Sequence, residues 1–164
     1  MSKTPHTAKR KPDLGWLVVV LILVAAAAAA WSFLSQRDKS RTDPNDRALV
    51  ARGQTVYDKE CASCHGLNLQ GQPNWQTRLP SGRMPAPPHD ASGHTWHHPD
   101  DYLFGVTKDG LVPGKYAPPG YQSDMPAFGG KLSDDDIWAV LAYIKSRWPT
   151  EIRRAQEERR HAMR

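Results

Sequence analysis

The stretch Tyr57 to Leu67, YDKECASCHGL, holds both cysteines of the 164-residue chain. Cys61 and Cys64 lie three positions apart, and His65 follows the second directly. Soft sulfur and imidazole groups at this spacing serve three chemistries. A C-x-x-C dithiol can cycle through a disulfide, in which case a strand and a βαβ setting should precede it. Two thiols can form half of a tetrahedral zinc site, which needs two more ligands; His89, His94, His97 and His98 are the candidates. In the third chemistry both thiols add to the vinyl groups of one haem, and the adjacent imidazole falls beneath the iron. C-x-x-C-H is the spacing for that attachment.

The elements that must position the motif favour the third reading. From Asp46, DRALVARGQTVYDKECASCHG predicts a short amphipathic helix, with Asp46 as N-cap and Leu49, Val50, Gly53, Val56 and Tyr57 on its inner side. The motif therefore ends a helix and does not follow a strand. It leads into Leu67 to His98, over thirty residues that include Pro73, Pro80, Pro85, Pro87 and Pro88 and show no sustained period. So long a structureless stretch makes sense when it wraps around something other than polypeptide.

Six-coordinate iron needs a second ligand. Met125, in SDMPAFGGKLS, lies sixty residues beyond His65, on a loop just before the last helix. A thioether favours ferrous iron and raises the potential, which suits electron transfer. Met84 repeats the Met-Pro-Ala context and is the rival, but it lies only nineteen residues from His65; Met125 is preferred.

Two further helices follow the Pro-rich stretch. HHPDDYLFGVTKDG reads as a short one, with Pro99 in its first turn, Leu103 and Val106 inward, and Gly110 as its stop. LSDDDIWAVLAYIKSRWP carries Ser133 as cap with Asp136 three residues on, and places Ile137, Val140, Leu141, Ile144 and Trp148 on one face. Beyond it, TEIRRAQEERRHAMR is charged all round and reads as a solvated, frayed helix.

Leu14 to Leu34 is 21 residues without a charge. As a helix it spans about 31 Å, close to the hydrocarbon thickness of a bilayer. Trp16 and Trp31 near its ends suit the membrane interface. The segment reads as an uncleaved anchor in preference to a cleaved signal peptide, which the Ala25 to Ala30 run would also allow. Orientation is not fixed by charge, because Lys and Arg lie on both sides. The charge distribution also excludes a nucleic-acid-binding domain. Residues 1–41 hold seven Lys/Arg against two Asp, and residues 150–164 hold five Arg against three Glu. Residues 43–148, by contrast, hold ten Lys/Arg against twelve Asp/Glu, so the folded part carries no basic stripe.

From Arg47 to Trp148 the chain resembles the class I c-type cytochromes of the membrane-anchored bacterial kind. The resemblance rests on GQTVYDKECASCHG, on MPAFGGKLSDDDIWAVLAYIKS, and on their separation. It implies an all-α fold around one covalent haem, with Cys61 and Cys64 as thioether anchors and His65 and Met125 as axial iron ligands. It implies that Gly53 and Tyr57 pack against Val140 and Tyr143 where the first and last helices cross. A proline carbonyl should hold the His65 N–H, with Pro73, Pro80, Pro85 and Pro87 all qualifying. Trp75 and Trp96 are candidate donors to haem propionates, and Tyr116, Tyr121 and Phe128 should line or flank the haem. His94 and His97, with His89 and His98, could instead bind copper or zinc, cap the next helix, or replace methionine.

The expected organisation is a cytoplasmic N-terminus (1–13), an anchor (14–34), a coil linker (35–46), a cytochrome c domain (47–149) and a charged tail (150–164). Haem attachment of this kind occurs outside the cytoplasmic membrane, which implies a periplasmic haem domain. With both cysteines spent on haem, no disulfide remains even there. The expected role is a membrane-tethered single-electron carrier between a quinol-oxidising complex and a terminal oxidase, or a fixed haem subunit of an oxidase or dehydrogenase. It is not expected to be an enzyme in its own right.

Overall fold

A computed structural model describes residues 14–162; the expected basic N-terminus lies outside them, as do the side chains of residues 35–40 and 160–162. The fold is all-α, with no strand among the described residues. The chain divides into two units between Asp38 and Lys39.

The first unit consists of most of α1 (Leu14–Arg41), whose apolar run from Leu14 to Leu34 has none of its length buried. The helix carries on past that run through residues expected as coil. Gln36 to Arg41 contains neither proline nor glycine, so nothing local stops a helix before the turn at Pro44.

In the second unit α2 (Arg47–Glu60) begins at Asp46, whose carboxylate accepts from the Ala48 and Leu49 amides. A single turn, α3 (Ala62–His65), follows. The next helix, α4 (Asp100–Asp109), starts after Pro99 and ends at Gly110 in a left-handed conformation (φ 80°). The capping box of Ser133 and Asp136 opens α5 (Asp134–Ser146), and α6 (Thr150–Ala162) ends the described chain.

α5 is the centre of the unit, because α2 and α4 both pack on it. The expected apolar face is buried, and so are Ala139, Ala142 and Tyr143 on its other sides. The crossing with α2 works only because residue 53 is glycine. A Cβ there would stand 1.9 Å from the Ala139 carbonyl oxygen and 3.0 Å from the Tyr143 Cβ. Beside it, Tyr57 is fully buried and its ring lies 5.3 Å from that of Tyr143, in one cluster with Val140. Arg52 completes the contact by donating to Asp136 at 2.9 Å.

The C-terminal segment corrects the expectation of a solvated tail. Ile152 packs on the core cluster, Gln156 is 3% exposed, and the Arg159 guanidinium sits 5.4 Å from the Trp96 ring centre. Its charge pattern hides one polar side chain with a specific buried partner. The Gln156 amide donates to the Asp100 carboxylate at 2.9 Å and to the His98 carbonyl at 3.1 Å. Asp100 also receives Thr42 Oγ1 at 2.7 Å and Lys145 Nζ at 2.7 Å, so four chain segments meet on one carboxylate.

Candidate functional site

The site grows from the end of α2. The Cys61 amide bonds the Tyr57 carbonyl and the His65 amide bonds the Cys61 carbonyl, each at 2.9 Å, so the motif coils tightly from α2 into α3. Cys64 is exposed and Cys61 partly buried, and they are not joined by a disulfide. The Tyr57 hydroxyl donates to the Gly66 carbonyl at 3.0 Å, tying the motif's exit to the core.

His65 is buried, and its Nδ1 lies 2.8 Å from the Pro87 carbonyl oxygen. A carbonyl can only accept, so the proton sits on Nδ1 and the Nε2 lone pair is left as the ligand atom. Burial holds the imidazole below the usual histidine pKa, against the opposing pull of Pro87. That direction favours the neutral ring, the form in which an imidazole binds a metal.

Of the four candidate prolines, only Pro87 makes this bond, and the loop shows why. The Gly71 amide bonds the His65 carbonyl at 2.8 Å, and the Gln72 amide bonds the Ala86 carbonyl at 2.9 Å. The Gln72 side chain in turn accepts from the Ala86 amide at 2.9 Å, so the two limbs of the loop close on each other. Gly71 permits this approach. Its φ is 68°, and a Cβ would lie 2.5 Å from the Pro88 nitrogen. Leu69, also left-handed (φ 64°), is fully buried, and its carbonyl accepts from the His89 amide at 2.7 Å.

The four histidines of the next segment take different ring partners, and His94 also meets His98 edge to face at 5.6 Å. His89 stacks on His65, with ring centres 3.9 Å apart and planes at 22°. Burial, with His65 and His94 nearby, pushes its pKa well below the ordinary value. His94 is exposed and stacks on Trp75 at 5.7 Å, His97 stacks on Trp96 at 3.8 Å, and His98 on Tyr102 at 4.4 Å. Trp96 spends its indole N–H on the Gly93 carbonyl at 3.0 Å. No group of three or more His, Cys, Asp or Glu side chains converges on a metal-sized point among the described residues. The zinc reading therefore lacks its remaining ligands.

The dithiol reading also lacks its setting, since the motif ends a helix and no strand is present among the described residues. Burial pushes the Cys61 thiol up to about 11, and Glu60 and Cys64 push the same way. A redox dithiol needs a thiol that ionises readily. Two sulfhydryls beside a neutral imidazole with its Nε2 free is instead a donor set that fits haem.

Met125 is half-buried in the loop before α5, with its amide bonded to Ser123 Oγ at 3.0 Å. Met84 is also half-buried. Phe128 is buried, whereas Tyr116 bonds Asp109 at 3.3 Å and Tyr121 lies 5.8 Å from the Arg78 guanidinium.

The family model for cytochrome c matches residues 50–148, about three-fifths of the chain, from within α2 to just past the end of α5. This chain is a class I c-type cytochrome. As a member of that family it binds haem c covalently, and the cytochrome's two cysteines stand at the spacing for it.

Among curated proteins the cytochrome is 32% identical over 99 residues to the cbb3-type cytochrome c oxidase subunit CcoP of Azospirillum brasilense, covering 60% of this chain and 28% of the subunit. It is 30% identical over 103 residues to cytochrome c-555 of Prosthecochloris aestuarii, covering 58% of this chain and 84% of that protein. A thiosulfate dehydrogenase of Stutzerimonas stutzeri is 29% identical over 100 residues, covering 59% of this chain and 27% of the dehydrogenase. The chain thus spans under a third of the oxidase subunit and of the dehydrogenase. No solved structure matches.

Sequence reasoning missed three features of this site: the choice of Pro87, the left-handed Leu69, and the His89 ring on His65. Only Gly71 left a readable trace, as a glycine in the loop immediately after the motif.

Proposed function

We propose that this protein is a membrane-tethered, single-haem electron carrier whose haem domain lies in the periplasm. The observation that carries this reading is the His65–Pro87 bond beside Cys61 and Cys64, which leaves Nε2 as the free nitrogen of a buried, neutral imidazole. Cys61 and Cys64 would hold the haem through thioether bonds, and His65 and Met125 would be the iron's protein ligands. Bound haem supplies a ferric/ferrous one-electron couple. The protein's part is to fill both axial positions, so that no substrate reaches the iron, and to set the potential through the Met125 sulfur and the His65 hydrogen bond.

The apolar run from Leu14 to Leu34 is the tether, and its 21 residues suit a bilayer. Its short reach favours a second reading, a fixed haem subunit of an oxidase or dehydrogenase. Thr42 is already docked in the haem-bearing unit, at 1% exposure. Residues 35–41 continue α1 as helix, at about 1.5 Å per residue, and so reach less far than the coil to residue 46 that the sequence suggested. The resemblance to an oxidase subunit points the same way. Mild-detergent purification decides between the two, since a fixed subunit brings stoichiometric partners with it and a free carrier does not.

The ligand assignment is tested on the membrane-extracted holo-protein. Its ferric form should be low-spin with a sulfur-to-iron charge-transfer band. Met125→Ala should abolish that band and Met84→Ala should leave it. The reverse pattern would move the axial ligand to Met84.

A further inference from the structure

Pro87 determines where the His65 N–H points, but one hydrogen bond tolerates tens of degrees of tilt about its acceptor. The plane of the ring needs a second constraint. His89 lies face to face with it at 3.9 Å and 22°. His89 is itself held at three points. Its Nδ1 is 2.9 Å from Thr95 Oγ1, its carbonyl accepts the Trp148 indole N–H at 2.7 Å, and its amide donates to Leu69 at 2.7 Å. Thr95 and Trp148 are both buried, Trp148 two residues beyond the end of α5; the Thr95 bond holds the ring itself, and the other two hold the backbone that carries it.

We infer that His89 is the positioning residue that fixes the plane of the His65 imidazole, and that it tunes the haem potential through that contact. The inference rests on His65 being an axial ligand. A tilt large enough to carry the N–H beyond that tolerance weakens the bond to Pro87, and a weaker bond leaves the ligand less basic and ferric iron less favoured. Releasing the stack should therefore raise the midpoint potential. It should also change two signals that report the imidazole plane in the ferric protein: the anisotropy of the electron spin resonance spectrum and the spread of the hyperfine-shifted haem methyl resonances.

The experiment uses the full-length holo-protein in detergent. His89→Leu removes the ring and should shift both signals and move the potential upward. His89→Phe keeps a flat ring but gives up the bond to Thr95, and should bring the plane signals back to about those of Thr95→Val, closer to wild type than His89→Leu. Thr95→Val and Trp148→Phe leave the ring but loosen it, and should shift the same signals in the direction of His89→Leu by a smaller amount. These two variants decide the matter should His89→Leu fail to retain haem. Plane signals and potential that stay at the wild-type values in His89→Leu, or in both loosening variants, overturn the inference. His65→Ala is the separate control. Loss of the low-spin spectrum there upholds His65 as ligand, whereas its persistence would remove that assignment and with it the basis of the inference.

Discussion

Lys145 on α5 bonds the carboxylate of Asp100 at the start of α4, with Nζ 2.7 Å from Oδ2, and both side chains are only 12% exposed. The pair is not isolated. Thr42 and Gln156 bond the same carboxylate, and Lys145 also reaches Thr42 Oγ1 at 3.0 Å. This one cluster joins the chain leaving α1, the first turn of α4, the last turn of α5 and the middle of α6. Lys145 reads in the sequence as a favourable charge at a helix end, yet its structural partner lies 45 residues away.

Breaking a buried pair from one side leaves the other charge uncompensated, at a cost of about 3–5 kcal/mol. Asp100→Ala should lower the stability of the holo-protein by an amount of that order. Lys145→Met should cost less, because Thr42 and Gln156 still satisfy Asp100. Denaturant unfolding of both single variants and the double variant should give a coupling well above that of a surface pair, and additive losses would refute the cluster's cooperation.

Gly53→Ala forces a methyl against the Ala139 carbonyl, where only backbone can yield. Over-packing of this kind costs about 1–3 kcal/mol or more. The variant should unfold at lower denaturant while Gln54→Ala, on the exposed side of the same helix, should not. Equal midpoints for the two would show that the helices do not cross at this residue.

Gly71→Ala tests the loop closure from the functional side. The new Cβ meets the Pro87 carbonyl carbon at 2.6 Å and the Pro88 nitrogen at 2.5 Å in a left-handed backbone, so the Pro87 carbonyl must shift from the place where it accepts from His65. A weaker hydrogen bond makes the axial imidazole less basic, and the midpoint potential should rise. Potentiometric titration of the holo-variant reads this directly, and an unchanged potential would detach Pro87 from the tuning of the haem.

Asp136 is held below the usual aspartate pKa by its hydrogen bonds from Ser133 and then from Arg52. A depressed folded-state pKa means that the unfolded chain binds the proton first as pH falls. The stabilisation is therefore present in full above about pH 4, the ordinary aspartate range, and is lost as pH drops through the lower folded value. Stability measured from neutral pH down through pH 4 and below should fall more steeply for the wild type than for Asp136→Asn. Parallel curves would show that the capping box carries no pH dependence.

Much of the fold was legible because its signals are local. Asp46, Ser133 with Asp136, and Gly110 end helices within one or two residues of where the structure ends them, since a cap satisfies amides or carbonyls only a few positions away. The apolar faces of α2 and α5 follow from helical periodicity alone. Gly53 and Tyr57 were readable through resemblance, and the structure adds that the glycine meets Ala139 more closely than Val140. The docking of α6 was hidden, because Gln156 and Arg159 look like any polar residues on a charged helix.

By itself the sequence determined the chemistry and its container. Two cysteines and a histidine at fixed spacing, a helix before them, a capped helix at the end and an apolar span near the start are all properties of neighbouring residues, legible without folding the chain. The tertiary structure alone decided which of four prolines holds His65, which histidine lies on its face, and where Lys145 finds its countercharge. Those choices depend on how a thirty-residue loop without periodicity closes on itself, and closure is decided by close approaches between distant backbones, such as Gly71 against Pro88, that no local pattern encodes.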